Sequence, residues 1–399
     1  MGMVARTGPD AHPLHALEPA MWKLQLFSLL FAIYLIWRFV LPLQLRPRYK
    51  ALACLLLALV GARFTLFQLL GGSLLSPDFP HALLLLISYL ASTMMLLGAL
   101  VLARDLLLLL ANVLRLPRLP LPWYRTSSLA LLLLTLSLSA IGTREAVAPP
   151  PVVAHDLTLP RLPKALDGLR IVQLTDLHLG TLNQESWIRD VVERTNALNA
   201  DLVLLTGDMV DGSPQQLSAM TADLAGLKAR YGVYGILGNH EYYSDIDLWL
   251  PEFARLGITM LQNEHRMLTI NGEPVALIGL TDHAAERFGK PMPNLKQAMT
   301  GLPPYHLSLL MAHQPKDARK NSRQGIDLQL SGHTHGGMVR GLDLLVSRVN
   351  KGFVSGWYHL GKMAMFVSPG TGLWSGFALR LGVPGEISLI ILHSQPDKP

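Results

Sequence analysis

Long uninterrupted runs of apolar residues dominate the first third of the chain. Four of them approach the roughly 20 residues that a helix needs to cross a hydrocarbon core about 30 Å thick. They occupy residues 24–41, 51–70, 82–103 and 126–143. A soluble bundle helix would show a polar face at a period of about 3.6 residues, and these runs show none. Arg63 interrupts the second run, and we expect it to face a partner helix or to reach the interface.

Basic residues are concentrated in two of the loops that connect these runs. They are Arg46, Arg48 and Lys50 after the first run, and Arg104, Arg115, Arg118 and Arg125 after the third. The loop between the second and third runs, residues 71–81, has no Lys or Arg. Because Lys and Arg favour cytoplasmic loops, we predict four spans with the N-terminus and everything after Arg144 outside the cytoplasm.

The hydrophobic pattern changes after the prolines at residues 149–151. Short apolar runs now alternate with amphipathic ones, which is typical of α/β units with buried strands. We predict helices at 186–199 and 215–230, and strands at 169–175, 202–206, 231–237, 275–280, 307–312, 328–330, 364–367 and 387–392. The chain is divided accordingly into a transmembrane domain at 1–145, a linker with one leading strand at 146–164, and a second domain at 165–399.

Composition and charge narrow the class of protein. The chain is 50% hydrophobic and 16% charged, against about 25% charged in soluble proteins, so a wholly soluble or disordered chain is excluded. Residues 1–150 hold 12 Lys and Arg against 5 Asp and Glu, and the remainder holds 22 against 23. Since the second part is nearly neutral, nucleic acid is not expected as a partner. The single cysteine, Cys54, excludes a disulfide within the chain.

Polar side chains that can bind metal follow five of the predicted strands. Ligands in α/β sheets bind beyond the carboxyl ends of strands, so we expect these side chains to meet at one edge. The set comprises Asp176, His178, Asp208, Asp211, Asn239, His240, His313, His333 and His335. The remaining histidines, His283 among them, are interpreted as ordinary surface or core residues.

The chemistry of this donor set indicates the kind of metal. Oxygen and imidazole nitrogen without sulfur suit Mn, Fe, Zn, Co or Ni better than Mg or Ca. The set also exceeds the four to six ligands that one ion takes, so we expect two divalent ions bridged by one carboxylate. Such a pair, about 3.5 to 4 Å apart, is typical of displacement reactions at phosphorus.

Three motifs carry a resemblance to a known family. Gly-Asp-Met-Val-Asp-Gly at 207–212, Gly-His-Thr-His-Gly-Gly at 332–337 and Arg-Leu-Gly-Val-Pro-Gly-Glu-Ile at 380–387 resemble the calcineurin-like metallophosphoesterase superfamily, in its bacterial membrane-associated or exported branch. The resemblance covers roughly residues 165–393. It implies a β-sandwich flanked by helices, in four layers ordered α-β-β-α, with a dinuclear centre at one sheet edge.

The resemblance also implies a role for each candidate residue. One metal would be held by Asp176, His178, Asp208 and His335, and the other by Asp208, Asn239, His313 and His333, with Asp208 as the bridge. His240 would face the substrate and Asp211 would orient it. Purple acid phosphatases carry a tyrosine at the position of Asp211, and protein phosphatases carry an arginine where Gly212 stands. Both subfamilies are therefore disfavoured.

The leading hypothesis is a membrane-tethered phosphohydrolase of the bacterial inner membrane, with manganese among its candidate metals. A metal-bridging hydroxide would cleave a phosphomonoester or phosphodiester, and a lipid-linked ester is one candidate substrate. A nucleotide-lipid pyrophosphatase of the lipid A precursor type is an alternative, but such enzymes act on the cytoplasmic side, against the predicted orientation. An inactive phosphoesterase-fold binding module is disfavoured because every ligand position is filled. The sequence leaves the oligomeric state open.

Overall fold

The first part of the chain is a bundle of apolar helices. The computed structural model describes residues 14–117 and 121–395, and the bundle comprises α1 (Leu14–Leu35), α2 (Pro47–Gly61), α3 (Arg63–Gly71), α4 (His81–Val113) and α5 (Leu121–Val147). Within those described residues, three helical stretches are long and apolar enough to cross a membrane: Trp22–Val40, His81–Val113 and Thr126–Val147. The number becomes four only when α2 and α3 are counted together as one span.

The second predicted span, at 51–70, is not one continuous helix. α2 and α3 meet at a bend of 68°, and Arg63 begins α3 there. Its buried guanidinium donates to Ser28 Oγ at 2.6 Å on α1, and to the carbonyl of Gly376 at 3.4 Å. A charged group in an apolar bundle needs hydrogen-bond acceptors. Ser28 and Gly376 supply two of them to Arg63 at the bend. The expectation of a partner helix for Arg63 is therefore met, while a straight span is corrected.

The second part contains two six-stranded sheets. In chain order the strands are β1 (Val152–Leu159), β2 (Leu169–Leu174), β3 (Leu202–Thr206), β4 (Val233–Ile236), β5 (Thr259–Met260), β6 (Glu264–Ile270), β7 (Glu273–Gly279), β8 (Leu307–Met311), β9 (Leu328–Ser331), β10 (Gly356–Leu360), β11 (Met363–Val367) and β12 (Ile387–Ser394). One sheet has the order β1-β12-β2-β3-β4-β5 and the other β10-β11-β9-β8-β7-β6. The pairs β2·β3, β3·β4, β7·β8 and β8·β9 are parallel, so their carboxyl ends lie at a common edge within each sheet.

Short helices connect these strands. They are α6 (Glu185–Ala197), α7 (Pro214–Ala222), α8 (Asn239–Tyr243), α9 (Ile246–Arg255), α10 (Leu295–Ala298), α11 (Ala318–Asn321) and α12 (Asp343–Val349). The helix predicted at 215–230 is shorter than expected. α7 ends at Ala222, and a 3₁₀ turn ends at Gly226, a residue of weak helix propensity.

One hydrophobic core among the described residues holds the two sheets together, and two others join the sheets to helices. Ile171, Leu204 and Ile390 of the first sheet share one core with Leu277 and Leu309 of the second. A second core joins the first sheet to α6 and α9, and a third joins the second sheet to α10 and α11. The mixed α/β architecture expected from the alternating pattern is confirmed, and so are the two sheets with helices that the resemblance implies.

The loop between β11 and β12 packs among the membrane helices, and residues 374–380 are named the docking loop. Ser375 Oγ donates to the carbonyl of Leu75 at 2.6 Å, and the Arg380 N–H donates to the carbonyl of Gly142 at 3.0 Å. Ser92 Oγ lies 3.5 Å from the carbonyl oxygen of Ala378. These contacts seat the two-sheet part of the chain directly against the bundle.

Candidate metal centre

The nine candidate residues all lie at the carboxyl ends of strands. Asp176 and His178 follow β2, Asp208 and Asp211 follow β3, Asn239 and His240 open α8 after β4, His313 follows β8, and His333 and His335 follow β9. Eight of them are buried, and His333 is partly exposed. The two sheets thus bring to one place side chains that are up to 159 positions apart in the sequence.

Asp208 is the residue that links the clustered donors. Three groups of side chains have ligand atoms within 4.8 Å of one another: Asp176 with His178 and His335, His178 with Asp208 and His240, and Asp208 with His313 and His333. The Oδ2 atom of Asp208 lies 3.1 Å from His313 Nε2 and 3.8 Å from His178 Nε2. Asp208 is therefore placed as a carboxylate shared between two halves of the cluster.

Ligand atoms that make no hydrogen bond show whether these residues suit a metal. His313 Nδ1 lies 2.8 Å from the carbonyl oxygen of Thr206, which fixes that nitrogen as the donor and leaves Nε2 as the acceptor. His313 Nε2 faces Asp208 Oδ2 at 3.1 Å without the geometry of a hydrogen bond, and Asn239 Oδ1 is buried with no hydrogen-bond partner among the described residues. The Nε2 atoms of His178 and His335 face each other at 3.2 Å. Lone pairs that converge in this way fit a divalent cation with nitrogen and oxygen ligands.

The backbone beneath the cluster is strained. Five candidate ligands have a left-handed backbone, with φ of 53° at Asp176, 47° at His178, 54° at Asp208, 73° at His333 and 48° at His335. Such residues cost about 1 to 3 kcal/mol each and persist where the surroundings hold them. A Cβ atom on Gly238 would overlap Asp208 Oδ1, and one on Gly332 would overlap Asp176 Oδ2. Glycine is therefore required at both positions for the close approach.

Asp211 orients two imidazoles. Its Oδ1 atom lies 2.6 Å from His240 Nδ1 and 3.0 Å from His178 Nδ1. Although burial acts to raise the pKa of the Asp211 carboxyl, the two imidazoles hold it below its usual range. Burial likewise acts to lower the pKa of His240, but Asp208 and Asp211 raise it to about 9. The sequence assigned Asp211 to His240 alone, and the structure adds His178.

Glu241 is a residue of this centre that the sequence analysis missed. Its buried carboxylate accepts hydrogen bonds from the backbone N–H groups of Asp208 at 3.0 Å, Met209 at 2.5 Å, Val210 at 3.2 Å and Gly238 at 2.7 Å. Burial, with a contribution from Asp208, raises the pKa of Glu241 to about 7. The side chain ties the loop after β3 to the loop after β4. Its position directly after Asn239 and His240 was the available signal.

Arg380 begins the motif at 380–387, but the sequence analysis assigned it no role in the centre. The guanidinium is buried and donates to the carbonyls of Pro369 at 3.0 Å and Gly372 at 2.9 Å. A Cβ atom on Gly372 would overlap the carbonyl oxygen of Leu177, between two candidate ligands. Arg380 thus holds the turn on which the loop after β2 rests.

Comparison with known proteins identifies relatives of this chain. A family model described as calcineurin-like phosphoesterase matches residues 169–337. An uncharacterized metallophosphoesterase of Campylobacter jejuni is 34% identical over 269 residues, which cover 67% of this chain and 70% of that protein. Proteins named "Transmembrane protein with metallophosphoesterase domain" are 34% identical in Bos taurus and in Danio rerio. The matches cover 66% and 67% of this chain but only 62% and 63% of those two proteins.

Replacing Glu241 by glutamine should weaken metal binding. The substitution turns one acceptor oxygen into a donor, so two of the four backbone N–H groups would lose their acceptor. We expect the affinity for divalent metal to fall roughly 10- to 100-fold, as for other groups that position metal ligands. Metal retained after dialysis against graded chelator, measured by plasma mass spectrometry, reports this. Glu252→Gln, at a surface residue paired with Arg255, is the control, and equal retention in both variants would contradict the assigned role.

Proposed function

The chain belongs to the calcineurin-like phosphoesterase family and is a membrane protein, and from this premise we propose a membrane-tethered, dinuclear-metal phosphohydrolase. Its substrate would be a phosphomonoester or phosphodiester. The observation that carries the proposal is the Asp208 carboxylate, whose Oδ2 atom lies within 4.0 Å of the Nε2 atoms of His178, His240 and His313. One oxygen that faces three imidazoles is suited to a site shared by two cations.

Two sets of ligands are proposed for the metals. One comprises Asp176, His178, Asp208 and His335, and the other comprises Asp208, Asn239, His313 and His333. Divalent ions of the Mn, Fe, Zn, Co or Ni class would supply an activated water and neutralise phosphoryl oxygens. This assignment is supported by Asn239 Oδ1 and His313 Nε2, which are buried and make no hydrogen bond among the described residues.

His240 is proposed as the general acid. Its Nδ1 atom donates to Asp211, so in the imidazolium form its Nε2 atom carries the second proton, which can be given to the leaving oxygen. Although burial acts to lower the pKa of His240, the carboxylates of Asp208 and Asp211 raise it to about 9, which favours the protonated imidazole. The His240 side chain is 11% exposed, whereas that of His178 is fully buried, which favours His240 as the imidazole that meets the substrate.

The membrane bundle is proposed as a tether that keeps hydrolysis at the bilayer. We propose a transmembrane domain at 1–145, a linker with β1 at 146–164, and a metallophosphoesterase domain at 165–399 with α-β-β-α layers. The docking loop supports this tether because it fixes the catalytic part against α4 and α5. A lipid-linked phosphate ester is accordingly the preferred substrate class.

The catalytic part is proposed to lie outside the cytoplasm, in the periplasm of a bacterial inner-membrane protein. Ser76, in the loop predicted to face outward, accepts a hydrogen bond from the Thr181 N–H at 3.2 Å. Loop and catalytic part therefore share one side of the bundle. A nucleotide-lipid pyrophosphatase would need that side to be cytoplasmic. An inactive binding module is disfavoured by the convergence of all nine candidate residues.

The shared carboxylate provides the first test. Asp208→Asn removes the negative charge that two cations would share while keeping the side-chain shape. We expect loss of at least one metal ion per chain and loss of detectable hydrolysis of nitrophenyl phosphate esters, with metal measured by plasma mass spectrometry. Asp190→Asn, at a surface ion pair on α6, should retain both. Two bound ions and unchanged turnover in Asp208→Asn would refute the assignment.

His240 should affect turnover without affecting metal content. His240→Ala is expected to lower kcat by about 10² to 10⁴, the range for general acid–base groups. The loss should be smaller for nitrophenyl esters, whose leaving group needs no proton, than for alkyl esters. His306→Ala, at an exposed histidine, is the control. Equal losses for both kinds of ester would mean that His240 only positions the phosphate.

Membrane orientation can be tested with reporters that work only after export. A reporter fused after Pro399 should be active, and one fused near Arg48 should be inactive, because the basic loops are retained in the cytoplasm. Activity of each fusion is measured against its expression level. The opposite pattern would place the catalytic part in the cytoplasm and favour the nucleotide-lipid pyrophosphatase.

A further inference from the structure

A cavity of about 380 Å³ lies beside the candidate metal ligands. Asn239 and His333 form part of its wall, and His283, Arg287 and Lys316 form another part. Its volume falls within the range of roughly 300 to 1,000 Å³ that is typical of small-molecule sites. The cavity therefore has room for substrate groups beyond the phosphoryl group held at the ligands. His283, interpreted from the sequence as an ordinary residue, belongs to this wall.

Two cations in the wall lack a partner. In the part of the chain that the structure describes, neither Arg287 nor Lys316 makes a salt bridge or a side-chain hydrogen bond. His283 differs, because its Nε2 atom lies 2.9 Å from Asp317 Oδ2. Burial lowers the pKa of Lys316; the nearby Asp282 and Asp317 oppose that lowering, and Lys351 and Arg287 add to it. Two cations that line the same cavity favour the binding of an anion in it.

The acidic groups near the cavity are engaged elsewhere or exposed. Asp282 is buried, and its Oδ1 atom accepts hydrogen bonds from Gln314 Nε2 at 2.9 Å and from the Ala284 N–H at 2.8 Å. Its Oδ2 atom is buried without a hydrogen-bond partner among the described residues, and burial raises the pKa of the carboxyl. Glu286 also lines the cavity and, like Arg287, is exposed to solvent. Neither group forms an ion pair with Arg287 or Lys316 among the described residues.

We propose that Arg287 and Lys316 form a subsite for a second anionic group of the substrate. This rests on the proposed function, since cleavage would occur at the adjoining ligands. The chemical class is an ester with two phosphate groups, such as a pyrophosphate. A guanidinium binds phosphate through paired hydrogen bonds, and an ammonium binds it as a point charge. The second phosphate can belong to a lipid headgroup or to a soluble nucleotide.

Matched pairs of esters test the subsite and distinguish these sources. One pair is a nucleoside diphosphate and its monophosphate, and the other is diacylglycerol pyrophosphate and phosphatidate in mixed micelles. For the pair that resembles the natural substrate, kcat/KM should be higher for the ester with two phosphates than for the ester with one. In Arg287→Gln and in Lys316→Gln that ratio should fall about 10- to 100-fold, as expected for loss of a charged hydrogen bond.

Control variants and a binding measurement keep the test decisive. Arg323→Gln and Lys320→Gln alter exposed cations outside the cavity and should keep the wild-type ratio. Binding of inorganic pyrophosphate, measured by calorimetry, should weaken about 10-fold or more in the two cavity variants. The subsite would be overturned if the two cavity variants hydrolysed both esters of a pair with the wild-type ratio of kcat/KM, or if they bound pyrophosphate as tightly as the wild type. Weakened pyrophosphate binding without hydrolysis of any ester would instead overturn the proposed function.

Discussion

Buried negative charge is the constraint on which the rest of this structure depends. Asp176, Asp208, Asp211 and Glu241 are all buried within one site, and a buried carboxylate needs a cation or a protonated partner. Burial acts to raise the pKa of Asp208, yet His313 and His240 hold it well below its usual range. The imidazoles thus compensate part of the charge, and divalent ions would compensate the remainder.

The surrounding loops can be understood as the means of keeping these charges together. Left-handed backbone at Asp176 and Asp208 aims both carboxylates inward, and Glu241 binds the N–H groups of the loop that carries Asp208. The membrane bundle joins the same network. Trp374 of the docking loop lies against Phe64 of α3, with ring centroids 6.4 Å apart, and against His240, with centroids 5.9 Å apart. Packing in the bundle is therefore continuous with packing beside the proposed general acid.

Sequence reasoning succeeded where a local pattern determines the structure. Buried strands read as apolar runs, and polar residues at their ends mark the site, so the candidate ligands could be named beforehand. It failed where a residue acts through distant backbone. At the bend, Arg63 donates to the carbonyl of Gly376, which lies 313 positions away. Glu241 and Arg380 lie in or beside recognised motifs, but their roles depend on main-chain groups that the residue types do not reveal. The second partner of Asp211 likewise depends on how two loops meet.

The position of β12 has a consequence for how the chain is made. This strand lies between β1 and β2 in the first sheet, parallel to the former and antiparallel to the latter. Both neighbours leave the ribosome more than two hundred residues before their shared partner. Until β12 arrives, β1 and β2 present unpaired backbone edges, which are prone to aggregation. In a chain that terminates before residue 387, β1 and β2 would therefore keep unpaired edges after the helical bundle has been inserted into the membrane. We expect such chains to be degraded by membrane quality-control proteases.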